Sequence, residues 1–300
     1  MIIYATKGDM LSQVADKPFL LERDIQKIFE TNLKLITGLL PVRSEFSIKH
    51  KRIDTLAFDP ETKSFVIIEY KRDRNHSVVD QGVSYLNLML DYKADFIVEY
   101  NESCRENLLR SEVDWSQTRV IFVSTAFTEN QKQATNFKDL AIELCEIRGY
   151  ENGLVTIEII KKSPSAPSIK QIANNSESLK KVAAEIKVYT EDDILELGTQ
   201  LSRSLYEHFK NSILNLDPDI EVQPKKRYVA FKKTRNIADI TVLKKGIKIW
   251  INLKKGKLDD PKLLTEDVSQ KGHWGNGDYQ IIAQDGSNLE YIMFLIKQAI

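Results

Sequence analysis

The sequence predicts an α/β protein: a mixed sheet flanked by helices, followed by a small α+β domain. Three observations lead there. A length of 300 residues suits two domains, each large enough to bury its own core. Strand-like stretches first form a meander and then alternate with helix-like stretches, as a mixed sheet requires. From Lys161 to Ala184 the composition turns to Ser, Pro, Asn and Lys with few large apolar residues, which reads as a linker. The expected domains are therefore 1–162 and 189–300, joined by a linker over 163–188.

The elements follow in order. Met1 to Thr6 alternates as a short strand does. Phe19 to Thr37 places Leu21, Ile25, Ile28, Phe29, Leu33 and Ile36 at helical spacing, with Gly38 and Pro41 behind as stop signals. Strands are expected over Ser44–Lys49, Arg52–Asp59 and Phe65–Arg72, then a helix over Val78–Tyr92. DFIVEY (Asp95–Tyr100) reads as a further strand, and RVIFVS (Arg119–Ser124) as a strand buried on both faces. Glu129–Leu140 is expected to be helical, followed by strands in IELCEI and LVTIEII.

Beyond the linker, Thr190 caps a helix start rich in acids, and Leu201, Leu205, Phe209 and Ile213 mark a helix face. Four strands are expected in IEVQP, RYVAFKK, IADITVL and IKIWINL, with a closing helix over Leu289–Ile300.

Composition is that of a soluble globular chain, 42% apolar and 29% charged. No apolar run is long enough to span a membrane, and the N-terminus lacks a basic region leading into an apolar core, so no signal peptide is expected. Two isolated cysteines, Cys104 and Cys145, fit inert thiols in a reducing cytosol. Net charge is zero, yet Glu221–Lys257 holds twelve Lys or Arg against two acids. Such asymmetry points to a polyanion, although a solvated lysine face produces it too.

The chemistry concentrates in RIDTLAFDPETKSFVIIEYK, Arg52–Lys71. Alternation puts Glu69 and Lys71 on one face of the second strand, and pairing across Pro60–Lys63 brings Asp54 toward them. Acids inside apolar strands are costly without a partner. Two carboxylates and an amine are what metal-assisted phosphodiester cleavage needs: Mg²⁺ takes oxygen ligands and acidifies water, and an amine balances charge on phosphate. Asp54, Glu69 and the Tyr70 carbonyl are the expected ligands, with Lys71 as the amine. Gln81 and Tyr85 follow at i and i+4 on one helix face.

Glu22 in a first helix, Asp54, Glu69-Tyr70-Lys71 and Gln81-x-x-x-Tyr85 resemble the PD-(D/E)XK, restriction-endonuclease-like superfamily, nearest its RecB-type and archaeal single-strand or mismatch endonuclease branches. The likeness covers about 19–100 and reaches roughly residue 160 by element order. It implies a restriction-endonuclease-like sheet and a DNA endonuclease dependent on Mg²⁺ or Mn²⁺, with a homodimer as a common assembly; RNA stays open as the substrate in place of DNA, and the cysteine usage makes a cytoplasmic location the expectation. It also implies roles for Glu22 as the first-helix acid, for which Glu30 competes, and for Gln81 and Tyr85 beside the metal. Ile53 stands where a proline is common.

Arg72 and Arg74 form a basic rim, with His50 and Lys51 nearby, each as readily solvated as bound to phosphate, while His76 reads as a solvent-exposed loop histidine in preference to a phosphate or metal contact. In the second domain Lys225, Lys226, Arg227, Lys232, Lys233 and Arg235 surround Tyr228 and Phe231, the ingredients of nucleic-acid binding, although both aromatics also suit a core. KGHWGNGD predicts a tight glycine loop, read as a structural corner packed by Trp274 ahead of the alternative of a ligand loop. This half resembles a C-terminal domain of unknown function found in uncharacterised prokaryotic proteins. Two rivals to an active nuclease stay open: a catalytically silent nuclease fold that binds nucleic acid, and a protein-interaction module.

Overall fold

The computed structural model describes residues 2–72, 77–163, 165–173, 176–233 and 235–300. The chain divides into two units, Met1–Val188 and Tyr189–Ile300.

In the first unit a hairpin of β1 (Tyr4–Lys7) and β2 (Met10–Gln13) precedes helices α1 (Glu22–Thr31) and α2 (Leu33–Thr37). The single helix expected over 19–37 is thus broken at Asn32, and Gly38 in the left-handed region closes it. The meander is β3 (Leu40–Ile48), β4 (Lys51–Asp59) and β5 (Ser64–Lys71). Then come α3 (Val78–Asp91), α4 (Lys93–Cys104), β6 (Arg119–Ser124), α5 (Glu129–Thr135), β7 (Ile142–Gly149) and β8 (Val155–Ile160).

The sheet runs β3-β4-β5-β6-β7-β8. Its first three strands pair antiparallel, β5-β6-β7 are parallel, and β8 returns antiparallel. This is the mixed sheet flanked by helices that the sequence predicts.

One face packs Phe65, Ile67, Phe122 and Ile142 against α3 and α4. The other packs Val66, Ile68, Tyr70 and Ile121 against Ile25, Phe29 and Leu33 of α1 and α2. Central β5 is therefore buried on both faces, which is why SFVIIEYK carries the unbroken apolar run Phe65–Ile68.

Two expectations are corrected. DFIVEY belongs to helix α4, not a strand: Phe96, Ile97 and Tyr100 form a buried helical stripe while Val98 faces out. Phe96 stacks edge-on with Phe46 of β3, and that packing overrides the β-branched pair Ile97-Val98. The stretch expected as a linker contains α6 (Lys170–Ala173) and α7 (Glu177–Glu185). Ile169, Val182 and Ile186 join the core beneath α3, so it is docked on the first unit instead of hanging free.

The second unit places α8 (Glu191–Leu195) and α9 (Gln200–Leu214) before a sheet. Its strands are β9 (Glu221–Pro224), β10 (Val229–Lys232), β11 (Asn236–Leu243), β12 (Gly246–Ile251), β13 (Glu266–Asp267) and β14 (Tyr279–Ala283), and α10 (Leu289–Lys297) closes the chain. The order is β13-β14-β12-β11-β10-β9, all antiparallel, as an α+β domain requires. Strands β13 and β14 were not expected. On α9 the buried stripe is Ser202, Tyr206, Phe209 and Ile213: Phe209 and Ile213 lie on it as expected, whereas Leu205 is half-buried and Leu201 exposed.

Among the described residues no helix is long and apolar enough to cross a membrane. Both cysteines are free, and burial pushes the Cys145 thiol up to about 12.

Helix α3 approaches the sheet through Gly82. A Cβ there would lie 2.4 Å from Ile142 Cδ1 and 2.9 Å from its Cγ1. Gly82→Val is expected to lower stability by about 2 kcal/mol, since overfilling a packed core costs roughly that much. Urea denaturation followed by circular dichroism measures it, and an unchanged midpoint would show that α3 has room to retreat.

Candidate active site

The pairing of β4 with β5 runs from Asp59↔Ser64 to Thr55↔Ile68 and ends there. Strand β4 continues beside β3 alone, down to Lys51. Asp54 thus stands where the two strands part, and its carboxylate replaces the missing ladder partner: Tyr70 N–H donates to Asp54 Oδ2 at 2.9 Å. In an extended strand the N–H and C=O of one residue leave by the same edge, so the Tyr70 carbonyl faces the Asp54 side. The Tyr70 ring lies on the opposite face, against Phe29.

Glu69 is 5% exposed and is held by three donors. Lys71 Nζ and Gln81 Nε2 donate to Oε1 at 2.8 and 2.7 Å, and the Tyr85 hydroxyl donates to Oε2 at 2.9 Å. Gln81 Nε2 and Tyr85 OH are themselves 3.2 Å apart. Ser77 caps α3 by accepting from Asp80 N–H, and Gly82 seats the helix, so the i, i+4 pair projects onto β5. Burial and the nearby Glu69 charge push the Tyr85 hydroxyl well above its ordinary range. It stays a proton donor.

Burial, then the Glu69 charge, pushes Asp54 up to about 6, against the pull of Tyr70 N–H and the Lys71 cation. Two carboxylates share a poorly solvated slot with one amine. A divalent cation fits that donor set: a hard ion needs one or two carboxylates, a carbonyl and water, and Asp54, Glu69 and the Tyr70 carbonyl are those groups. Among the described residues no group of three or more His, Cys, Asp or Glu forms a metal cluster, so water would complete the shell.

The other expected residues fall as follows. Glu22 opens α1 and accepts from Arg72 N–H at 2.9 Å, tying the end of β5 to the helix. Glu30 takes Gln26 Nε2 at 3.1 Å and the Thr55 hydroxyl, on the Tyr70 side of the sheet. Arg72 is exposed at the rim, and Arg74 and His76 lie outside the described residues.

Two residues near the site were missed. Gln26 of α1 donates to the Asp54 carbonyl at 3.1 Å, so it, rather than an acid, is the first-helix side chain bonded to Asp54. Its position four residues before Glu30 was the available signal. Glu45 adds repulsion at Asp54 and pairs with Arg52. It sits at φ 54° in β3, a conformation no pattern in the sequence announces.

In the second unit Tyr228 and Phe231 are buried, as a core reading expects. Of the basic residues, Lys233 pairs with Asp217 at 2.5 Å and Arg235 donates to the Ala299 carbonyl at 3.2 Å, both structural. Lys225 and Lys232 are half-buried, and Lys226 and Arg227 are exposed. Trp274 does not pack the glycine corner; it is 56% exposed, and Trp250 fills that place beneath Gly275.

The chain belongs to the same family as an uncharacterized protein of Haemophilus influenzae, 60% identical over 300 residues that span 100% of this chain and 99% of that protein. Residues 190–300 match the family model for a domain of unknown function, DUF5655, as the C-terminal resemblance implied. Among solved structures, a repair endonuclease from Pyrococcus abyssi is 21% identical with a TM-score of 0.24, over 40% of this chain and 44% of that one. EndoMS in its apo form is 21% identical at 0.26, over 41% and 44%. The EndoMS–dsDNA2 complex is 17% identical at 0.23, over 43% and 44%. The chain therefore spans less than half the length of each of these three structures.

Asp54→Asn can retain an acceptor for Tyr70 N–H while removing the disfavoured charge. A carboxyl whose pKa is raised on folding costs stability above that pKa and nothing well below its unfolded value near 4. In chelator at pH 8 the variant is expected to be more stable than the parent by about 1–2 kcal/mol, with the gain vanishing near pH 4. Thermal melts across that range measure it, and a gain that persists at pH 4 would point to another cause.

Proposed function

We propose that the first unit is a Mg²⁺- or Mn²⁺-dependent DNA endonuclease that hydrolyses phosphodiester bonds. The observation that carries this reading is the convergence of Asp54, Glu69 and Lys71 where β4 leaves β5, with Gln81 and Tyr85 fixing Glu69. Asp54, Glu69 and the Tyr70 carbonyl would hold the cation. When bound, it would draw charge from the phosphate and acidify a water for attack.

The protein's own groups have separable tasks. Glu69 fixes Lys71 Nζ through one of the ammonium's three donors, leaving two for a phosphate oxygen or the attacking water. Lys71 thereby steadies the negative charge that grows as the fifth oxygen bonds to phosphorus. Gln81 and Tyr85 bond to Glu69 and hold its carboxylate plane. Gln26 steadies Asp54 through its backbone carbonyl, and exposed Arg72 lies where a flanking phosphate would pass.

Labelled single-stranded and duplex DNA incubated with Mg²⁺ or Mn²⁺ tests this. Asp54→Asn, Glu69→Gln and Lys71→Met are each expected to cut at least about a hundredfold more slowly than the parent. Cleavage at the parent's rate in all three would sink the proposal. A silent nucleic-acid-binding fold would instead bind DNA equally with and without chelator and never nick it.

Tyr85→Phe keeps the ring and removes one donor to Glu69. It is expected to weaken Mn²⁺ binding, read by titration calorimetry, about tenfold, the usual effect of losing a group that orients a ligand. Unchanged binding would remove Tyr85 from the site.

A further inference from the structure

The second unit exposes an indole where its own sequence has put three glycines. In the loop Lys271–Asp278, Gly275 lies on the face of Trp250, where a Cβ would come within 2.4 Å of Cδ2. Gly277 lies against β12, where a Cβ would come within 1.8 Å of the Ile251 carbonyl oxygen. Only glycine admits both approaches.

Between them Asn276 is tied down three times. Its N–H donates to Asp239 Oδ2 at 2.7 Å, and its Nδ2 donates to Asp239 Oδ2 at 3.1 Å and to Tyr228 OH at 3.0 Å. Asp239 lies on central strand β11 with no exposed surface, and Tyr228 packs edge-on against Trp250. A buried carboxylate thus anchors the loop to the sheet.

That anchoring fixes two further side chains. Trp274 precedes Gly275, and Arg227 precedes Tyr228. The Arg227 guanidinium lies 4.5 Å from the centroid of the Trp274 ring, yet the indole is 56% exposed. A mobile loop could fold a tryptophan inward, but this one is held outward by residues whose own places are fixed. The acids of the surrounding segment are paired within it: Glu266 with Lys271, Asp267 with Lys255 at 2.6 Å, and Asp278 with Lys254 at 3.5 Å. Between Glu221 and Asp239 the sequence holds six Lys or Arg and no acid, although Lys233 pairs with Asp217 and Arg235 donates to the Ala299 carbonyl, so the exposed cation on the indole is Arg227. Lys225, Lys226 and Arg227 stand immediately before Tyr228.

We propose that Trp274 and Arg227 form a stacking platform for an unpaired base of single-stranded nucleic acid, with Lys225 and Lys226 beside the flanking phosphates. An aromatic face takes any base, and cations along the backbone path supply the salt-sensitive part of binding. A guanidinium stacked on an indole keeps its in-plane N–H donors for phosphate oxygens. Duplex bases are already stacked on one another and do not offer a face, so the platform selects single strands. The platform is built from residues of the second unit alone and does not depend on cleavage by the first.

The test uses the full chain carrying Asp54→Asn, in chelator, titrated with an oligothymidylate of about twelve nucleotides at low salt. Tryptophan emission reports stacking, because Trp250 is buried and Trp115 belongs to the first unit. Quenching is expected in the parent, while anisotropy of the fluorescently labelled oligothymidylate reads affinity in every variant: binding roughly tenfold weaker in Trp274→Ala and largely restored in Trp274→Phe. Arg227→Met is expected to flatten the dependence of log K on log salt by about one charge. Circular dichroism confirms that the variants fold. Equal affinity for a blunt duplex of the same length, equal quenching by poly-glutamate, or undiminished affinity in Trp274→Ala would each overturn the proposal. The poly-glutamate result would indicate an acidic protein partner in its place.

Discussion

A carboxylate on a strand buried from both sides is the constraint from which the first unit's site follows. Glu69 lies between apolar layers that would expel its charge unless donors met it there. Three donors do, supplied by two separate elements. Lys71 comes from alternation along β5, and Gln81 and Tyr85 from a helix that must sit close enough to reach. Gly82 permits that closeness. Strand pairing, helix capping and core packing thus all bear on one side chain.

Asp54 solves a different problem. Where β4 parts from β5 a backbone N–H loses its ladder partner, and the Asp54 carboxylate takes over that bond. The same divergence opens the slot that brings the two acids near one another. Burial first, and the Glu69 charge after it, keep Asp54 raised against the pull of Tyr70 N–H and Lys71. A site that holds excess negative charge in poor solvent is disposed to take a cation, which is the physical content of the metal-dependent reading.

The second unit uses a buried carboxylate for the opposite purpose. Asp239 is satisfied from within by Asn276 and Asn236, and what it stabilises is the path of a loop. RNIADI and GHWGNGD, far apart in sequence, are thus two halves of one bonded network. With Trp250 filling the corner, Trp274 is left at the surface.

Alternation and apolar runs were enough to place β3 to β7 and to set Asp54, Glu69 and Lys71 together, because a period of two decides which side chains share a face whatever surrounds the strand. The i, i+4 spacing did the same for Gln81 and Tyr85. Local pattern failed where packing chose between options of similar propensity. Phe96-Ile97-Val98 became helix because its aromatic stripe met β3, and the polar stretch before residue 188 became helices because Ile169, Val182 and Ile186 found a core under α3. Gln26, Glu45 and the exposure of Trp274 depend on contacts between segments distant along the chain. The sequence by itself determined the strands, their faces and the chemical groups at the slot. Only the tertiary structure decided which helix residue touches Asp54 and which tryptophan is buried, since those outcomes depend on which surfaces meet.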